Sequence, residues 1–74
     1  MTIFEYIHLA RRRQGLSQSD LAAKVGVSRN YIGLIEMGRA AGLMLGVLSK
    51  VVVALGFVLE INFHEKDKSK NDLP

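Results

Sequence analysis

Between residues 15 and 38 the chain reads GLSQSDLAAKVGVSRNYIGLIEMG, two short helix-compatible segments, each opened by a serine, that meet at a glycine followed by an apolar residue. Ser17 with Asp20 three places on is a variant capping box, in which each side chain satisfies a free backbone N–H of the other residue. Leu21, Ala22 and Val25 recur at helical spacing, and Gly26 supplies the positive φ that ends a helix. Val27 follows the glycine, Ser28 caps again, and Tyr31, Ile32 and Ile35 line a second apolar face. The spacing predicts one helix over Gln18–Val25, a tight turn, and a second helix over 29–37 closed by Gly38.

A chain of 74 residues has room for one domain, near the lower limit at which a single core supports folding. An apolar fraction of 49% is too high for a disordered chain. The absence of cysteine excludes disulfide staples and thiolate zinc sites, and a reducing cytoplasm is the natural compartment. Acidic and polar residues precede Arg11, which does not read as a signal peptide. The net charge of +3 is compatible with nucleic acid without being diagnostic of it. Its distribution says more: residues 1–63 carry Arg11, Arg12, Arg13, Lys24, Arg29, Arg39 and Lys50 against Glu5, Asp20, Glu36 and Glu60, so the whole excess lies there. The ending HEKDKSKNDLP balances its charges and holds one large apolar residue, Leu73, so 64–74 reads as a solvated tail without fixed structure.

From residue 40 to 59 only Ser49 and Lys50 are polar, a length that could span a bilayer. Lys50 near its centre would cost roughly 3 kcal/mol there, and Gly42, Gly46 and Gly56 interrupt it. A core helix that is apolar nearly all round is the better reading, running from 43 or 44 to 55. Thr2 with Glu5 opens a further helix through about Gln14, with Ile3, Ile7 and Ala10 on its inner stripe and Phe4 or Tyr6 widening it. A helical turn near 40–42 is also open. The expected fold is therefore all-α, four to five helices, with one exception at its end.

After Gly56 the period changes. Phe57, Leu59, Ile61 and Phe63 fall on one side and Val58, Glu60, Asn62 and His64 on the other, the alternation of a half-buried strand over 57–63. A lone strand leaves its ladder groups unpaired. Either the same strand of a second subunit completes an antiparallel ribbon about a twofold axis, or the segment lies extended on its own helices. The ribbon is the reading adopted here, and it makes the protein a homodimer.

Two short helices joined by a glycine turn form the motif by which DNA readers seat a helix in the major groove. Gln18 stands at the start of the first, where free N–H groups and the positive dipole end favour a phosphate. On the second, Arg29 matches guanine and Asn30 matches adenine bidentately. Arg29 could instead reach only phosphate. The stretch GLSQSDLAAKVGVSRNYIGLIEMGR is similar to the helix-turn-helix of the phage Cro and repressor (lambda-repressor-like) family, often called XRE-type regulators, with the likeness covering about residues 7–63. The resemblance implies a sequence-specific double-stranded DNA-binding regulator, acting as a dimer on a palindromic operator in the nucleoid. It assigns Ser28, Arg29, Asn30, Gly33 and Leu34 to the base-reading face, and Gln18, Tyr31 and Arg39 to phosphates. Tyr31 has a base edge as its other option. Arg12 and Arg13 are expected to attract DNA or touch a flanking phosphate. The family match pairs Arg11 with Glu36 as a structural ion pair between helices.

The ending LGFVLEINF resembles that of HipB-type antitoxins, which implies a toxin partner, a HipA-like kinase, with DNA binding used for autoregulation. The other implied class is a stand-alone repressor or restriction-modification controller without a toxin. Two departures from the family pattern stand out: Leu43 and Met44 occupy a position that usually supplies a cap, and Gly33 weakens a helix interior. Leu34 and Met44 could also meet a protein partner. No constellation suggests catalysis: His8 and His64 lie on different elements without ligand-spaced carboxylates, no glycine-rich phosphate loop or nucleophile elbow is present, and no cofactor is expected. His8, beside Leu9, reads as a surface or flank residue.

Overall fold

The structure is a computed structural model and describes residues 1–66. Four helices follow in order, α1 (Ile3–Arg13), α2 (Gln18–Val25), α3 (Arg29–Glu36) and α4 (Leu45–Ala54), and no strand occurs among the described residues. Each of the first three opens on a side-chain cap. The Glu5 N–H donates to Thr2 Oγ1 at 3.1 Å while the Thr2 N–H donates to Glu5 Oε1 at 2.8 Å. Ser17 and Asp20 make the same reciprocal pair at 2.9 Å each way. Hydrogen bonding to its carboxyl from Ser17, the backbone N–H first and the hydroxyl second, holds Asp20 below the usual carboxylate range. Ser28 Oγ accepts from the Tyr31 N–H at 3.1 Å.

At Gly26 φ is +85°, and the N–H groups of Gly26 and Val27 both reach the Ala22 carbonyl, at 2.8 and 3.1 Å. That bend turns the chain from α2 into α3 within three residues. Gly38 ends the next helix at φ +71°, and a Cβ there would lie 3.3 Å from the ring of Phe4. The glycine therefore admits α1 against the end of α3. α4 opens without a side-chain cap: Met44 stands at its N-cap with no side-chain hydrogen bond. Residues 41 and 42 form only a turn, so the described residues hold four helices and not five.

Ile7 and Ala10 from α1, Leu21 and Ala22 from α2, Ile32 and Ile35 from α3, and Val51, Val52 and Leu55 from the end of α4 make the core. α2 packs on both α3 and α4, and α1 packs on α3. Gln14 Nε2 donates to the Leu55 carbonyl at 2.7 Å, tying the end of α1 to the end of α4. Two expectations need correction. Ile3 and Tyr6 lie outside the inner stripe of α1, which is completed by half-buried Phe4. α4 is not buried all round: Leu45, Gly46, Lys50 and Val53 face outward, because the helix has α2 on one side and no layer on the other. No helix among the described residues is long and apolar enough to cross a membrane.

The strand expected over 57–63 is absent from this single chain. Gly56, at φ +86°, ends α4, and the Phe57 N–H reaches back to the Val52 carbonyl at 3.1 Å. Phe57 then packs edge-on against Tyr6 with ring centroids 5.8 Å apart, and Leu59 settles against the core. Beyond them Ile61 and Phe63 are exposed, Phe63 at 94%. A strand is defined by its ladder, and this segment has no ladder partner among the described residues. Residues 64–66 of the expected tail are exposed, and the rest of it lies outside the described residues.

Leu21 has no exposed surface. Leu21→Ala is expected to lower unfolding free energy by about 2–5 kcal/mol, read from urea denaturation. Loss below 1 kcal/mol, on the order of a surface substitution, would show that α2 is not seated as described.

Candidate nucleic-acid interface

The buried positions of α3 leave its other side open. Ile32 and Ile35 face the core and Tyr31 packs half-buried against it. Ser28, Arg29 and Asn30 are exposed, and Gly33 and Leu34 are half-exposed about one turn on. An open groove of about 430 Å³ runs along this side, lined by Arg29, Asn30, Gly33 and Leu34 of α3, Met37 just past its end, Gln18 of α2 and His8 of α1. Four of the five residues expected to read bases thus share one groove. Ser28 sits at the helix start, its hydroxyl oxygen engaged by the Tyr31 N–H. The Gln18 amide lies across Gly33, 3.7 Å from where a Cβ would be. A Cβ at that distance would make an ordinary van der Waals contact with the amide.

At the inner end of the groove is a carboxylate. Glu36, with its side chain 3% exposed, accepts from Arg11 Nε at 2.6 Å through Oε2 and from Arg11 Nη2 at 3.0 Å through Oε1. Oε1 also meets His8 Nδ1 at 2.7 Å and Gln18 Nε2 at 3.3 Å. Arg11 Nη1 donates to the Leu16 carbonyl at 2.8 Å, which ties the α1–α2 connection to the same centre. Burial resists ionisation of Glu36, but the hydrogen bonds from Arg11, His8 and Gln18 outweigh it and hold the carboxyl below its usual range. Among the described residues, every buried side-chain polar atom has a partner. Two helices, α1 and α2, therefore deliver donors to one acid at the end of α3.

The tautomer of His8 follows. An ionised carboxylate only accepts, so the contact at 2.7 Å requires a proton on Nδ1. Arg11 Nη2, 3.3 Å from the same nitrogen, then faces it as a second donor, and that approach is no hydrogen bond. His8 corrects the reading of a plain flank residue. Its signal was its place three residues before Arg11, on one face of a helix.

The remaining basic residues lie apart from the groove. Arg12 and Arg13 are exposed at the C-terminal end of α1, where positive charge also complements the helix dipole. Arg39 is exposed just past Gly38, its N–H bonded to the Leu34 carbonyl at 2.8 Å. Met37, exposed and in the groove, went unnoticed because a methionine at a helix end carries no polar signal. No group of three metal-binding side chains gathers among the described residues.

Residues 7–58 match a family described as helix-turn-helix. Over 62 residues the chain is 32% identical to the HTH-type transcriptional regulator SinR of Bacillus licheniformis. That match takes in 84% of this chain and 56% of the relative, so the chain spans little more than half of that protein's length. No solved structure matches significantly.

Arg11→Ala strands a buried carboxylate and is expected to cost about 3–5 kcal/mol at neutral pH. Because folding lowers the Glu36 pKa, its contribution is complete above the ordinary carboxylate range and fades as pH falls through the depressed folded-state value. In the variant Glu36 can protonate, so the difference from the parent should shrink on acidification. Urea titrations of both chains at several pH values measure this, and a difference independent of pH would contradict the assignment.

Proposed function

The chain belongs to the XRE-type helix-turn-helix family, and we propose on that premise that it is a transcriptional regulator that binds double-stranded DNA as a homodimer. The observation that carries this reading is the groove on α3, where Arg29 and Asn30 stand exposed on a helix whose opposite side is buried and whose end is held by Arg11, His8 and Gln18. A helix so braced can enter the major groove without first being ordered, which lowers the entropic cost of recognition.

In this reading Arg29 pairs with guanine O6 and N7 and Asn30 with adenine N6 and N7, each worth about 1–3 kcal/mol of discrimination. Leu34 meets thymine methyls, Gly33 lets the backbone come close, and Ser28 adds a hydroxyl of little selectivity. Gln18, at the N-terminus of α2, serves a phosphate with its backbone N–H end while its amide braces Glu36. Tyr31, Arg39, Arg12 and Arg13 supply further phosphate contacts that carry affinity and no sequence information.

The dimer rests on the segment after Gly56. Its alternating apolar residues, its want of a ladder within the described residues, and the exposure of Val58, Ile61 and Phe63 favour pairing with the same segment of a second copy. Phe57, Leu59, Ile61 and Phe63 would then line one side of a two-stranded antiparallel ribbon. The matched relative bears the name of a transcriptional regulator, which favours the regulator over an antitoxin with a HipA-like toxin partner.

Selection of bound sites from random duplexes should return a twofold-symmetric consensus, and an asymmetric or featureless outcome would reject the dimeric reader. Arg29→Ala should relax preference at one step in each half-site, by about 1–3 kcal/mol, and unchanged specificity would remove Arg29 from base reading. A chain ending at Leu55 should sediment as a monomer and bind the selected site far more weakly. A dimer from that truncated chain would refute the ribbon.

A further inference from the structure

Resting on the reading of the groove as a DNA interface, we propose that His8 is a phosphate ligand of that interface, taking up a proton at Nε2 and donating it to a phosphodiester oxygen of the duplex. Nδ1 of His8 is committed to Glu36 at 2.7 Å. The Glu36 side chain is 3% exposed whereas that of His8 is 45% exposed, so the open part of the ring is the edge away from Glu36, which bears Nε2. The ring lines the same groove as Gln18, Arg29 and Asn30. His8 and Gln18 also converge on one atom, Glu36 Oε1, which sets the ring beside the side chain that begins α2.

The chemistry of the neutral ring makes the proton necessary. With its hydrogen on Nδ1, neutral His8 presents a lone pair at Nε2. Phosphate oxygens are acceptors too, so this form repels the backbone it faces. The imidazolium turns the same nitrogen into a charged donor and makes a strong, short contact available. The groups around the ring set this balance. Glu36 of α3 favours the imidazolium, while Arg11 on α1, with Nη2 at 3.3 Å, and Arg29 across the groove on α3 oppose it. Gln18 of α2 is uncharged. An arriving duplex adds anions to this set and offsets Arg29, which draws the proton from solvent onto Nε2. The complex then holds one more proton per bound subunit than its free components, and by linkage affinity rises as pH falls.

The test is fluorescence anisotropy with two labelled probes, the duplex recovered by site selection and a scrambled duplex of equal length, at fixed ionic strength between about pH 5 and 8. The full chain is compared with His8→Asn, whose amide can still donate to Glu36 but cannot be protonated, and with His64→Gln as a control for the other histidine. The expected result is affinity that falls on the alkaline side, by up to about tenfold per pH unit for each bound subunit. The fall should be similar on both probes because the contact is to phosphate. His64→Gln should keep this dependence and His8→Asn should lose it. At low pH His8→Asn should also lower the salt slope by about 0.9 per subunit, the signature of one lost phosphate contact. Proton uptake by the unmodified chain, from calorimetric titration in buffers of different ionisation enthalpy, gives the same answer without a variant. Binding that is independent of pH in the parent, or equally dependent in His8→Asn, overturns the proposal and leaves the DNA reading standing. Failure of the parent to bind either probe at any pH overturns both.

Discussion

One buried carboxylate organises the half of this molecule that carries α3. Glu36 closes α3, and α1 and α2 each send a donor to it across the helix interface. A desolvated anion is costly unless its partners are well placed. Here a bidentate guanidinium, an imidazole and an amide occupy both oxygens. The result is less a source of stability than a constraint on orientation. α3 cannot rotate or slide relative to α1 without breaking the Arg11 contacts, and it cannot part from α2 without freeing Gln18.

The apolar core and this polar centre divide the work between them. Ile32 and Ile35 fasten the inner side of α3 through non-directional burial, which tolerates small shifts. The carboxylate and its donors supply the direction that burial lacks. Gly33 lies beneath the same brace, where a Cβ would sit 3.7 Å from the Gln18 amide, an ordinary van der Waals contact. The exposed side chains of α3 are thereby displayed from a fixed support, as a reading surface requires.

The far side of the molecule is built differently. α4 packs on α2 with one side and leaves Leu45 and Val53 outside, and the chain beyond Gly56 lays Leu59 on the core and then exposes Ile61 and Phe63. For a domain of this size such exposure is a large share of its apolar side chains. It differs from the groove on α3, where Arg29, Asn30, Gln18 and His8 stand among Gly33, Leu34 and Met37.

Much of the helical layout was legible in the residues themselves. The capping pairs Thr2 with Glu5 and Ser17 with Asp20, the serine at 28, and the glycines at 26, 38 and 56 mark helix ends by contacts between residues a turn apart. Such contacts form whatever the rest of the chain does. The groove residues of α3 were legible for the same reason, since helical period alone separates Arg29 and Asn30 from Ile32 and Ile35. Other features depend on residues far apart in the chain. Composition alone does not say which of three adjacent arginines is buried, and it was the family resemblance that paired Arg11 with Glu36. The packing of α1 on α3 joins Arg11 to Glu36 and alone brings His8 there, over separations of 25 and 28 residues. The apolar run of α4 likewise does not reveal how many sides will be covered, and the alternation after Gly56 does not supply the neighbour that a strand needs. Local hydrogen bonding and periodicity belong to the sequence. Burial and pairing across helices arise when the elements meet, and the tertiary structure alone decides them.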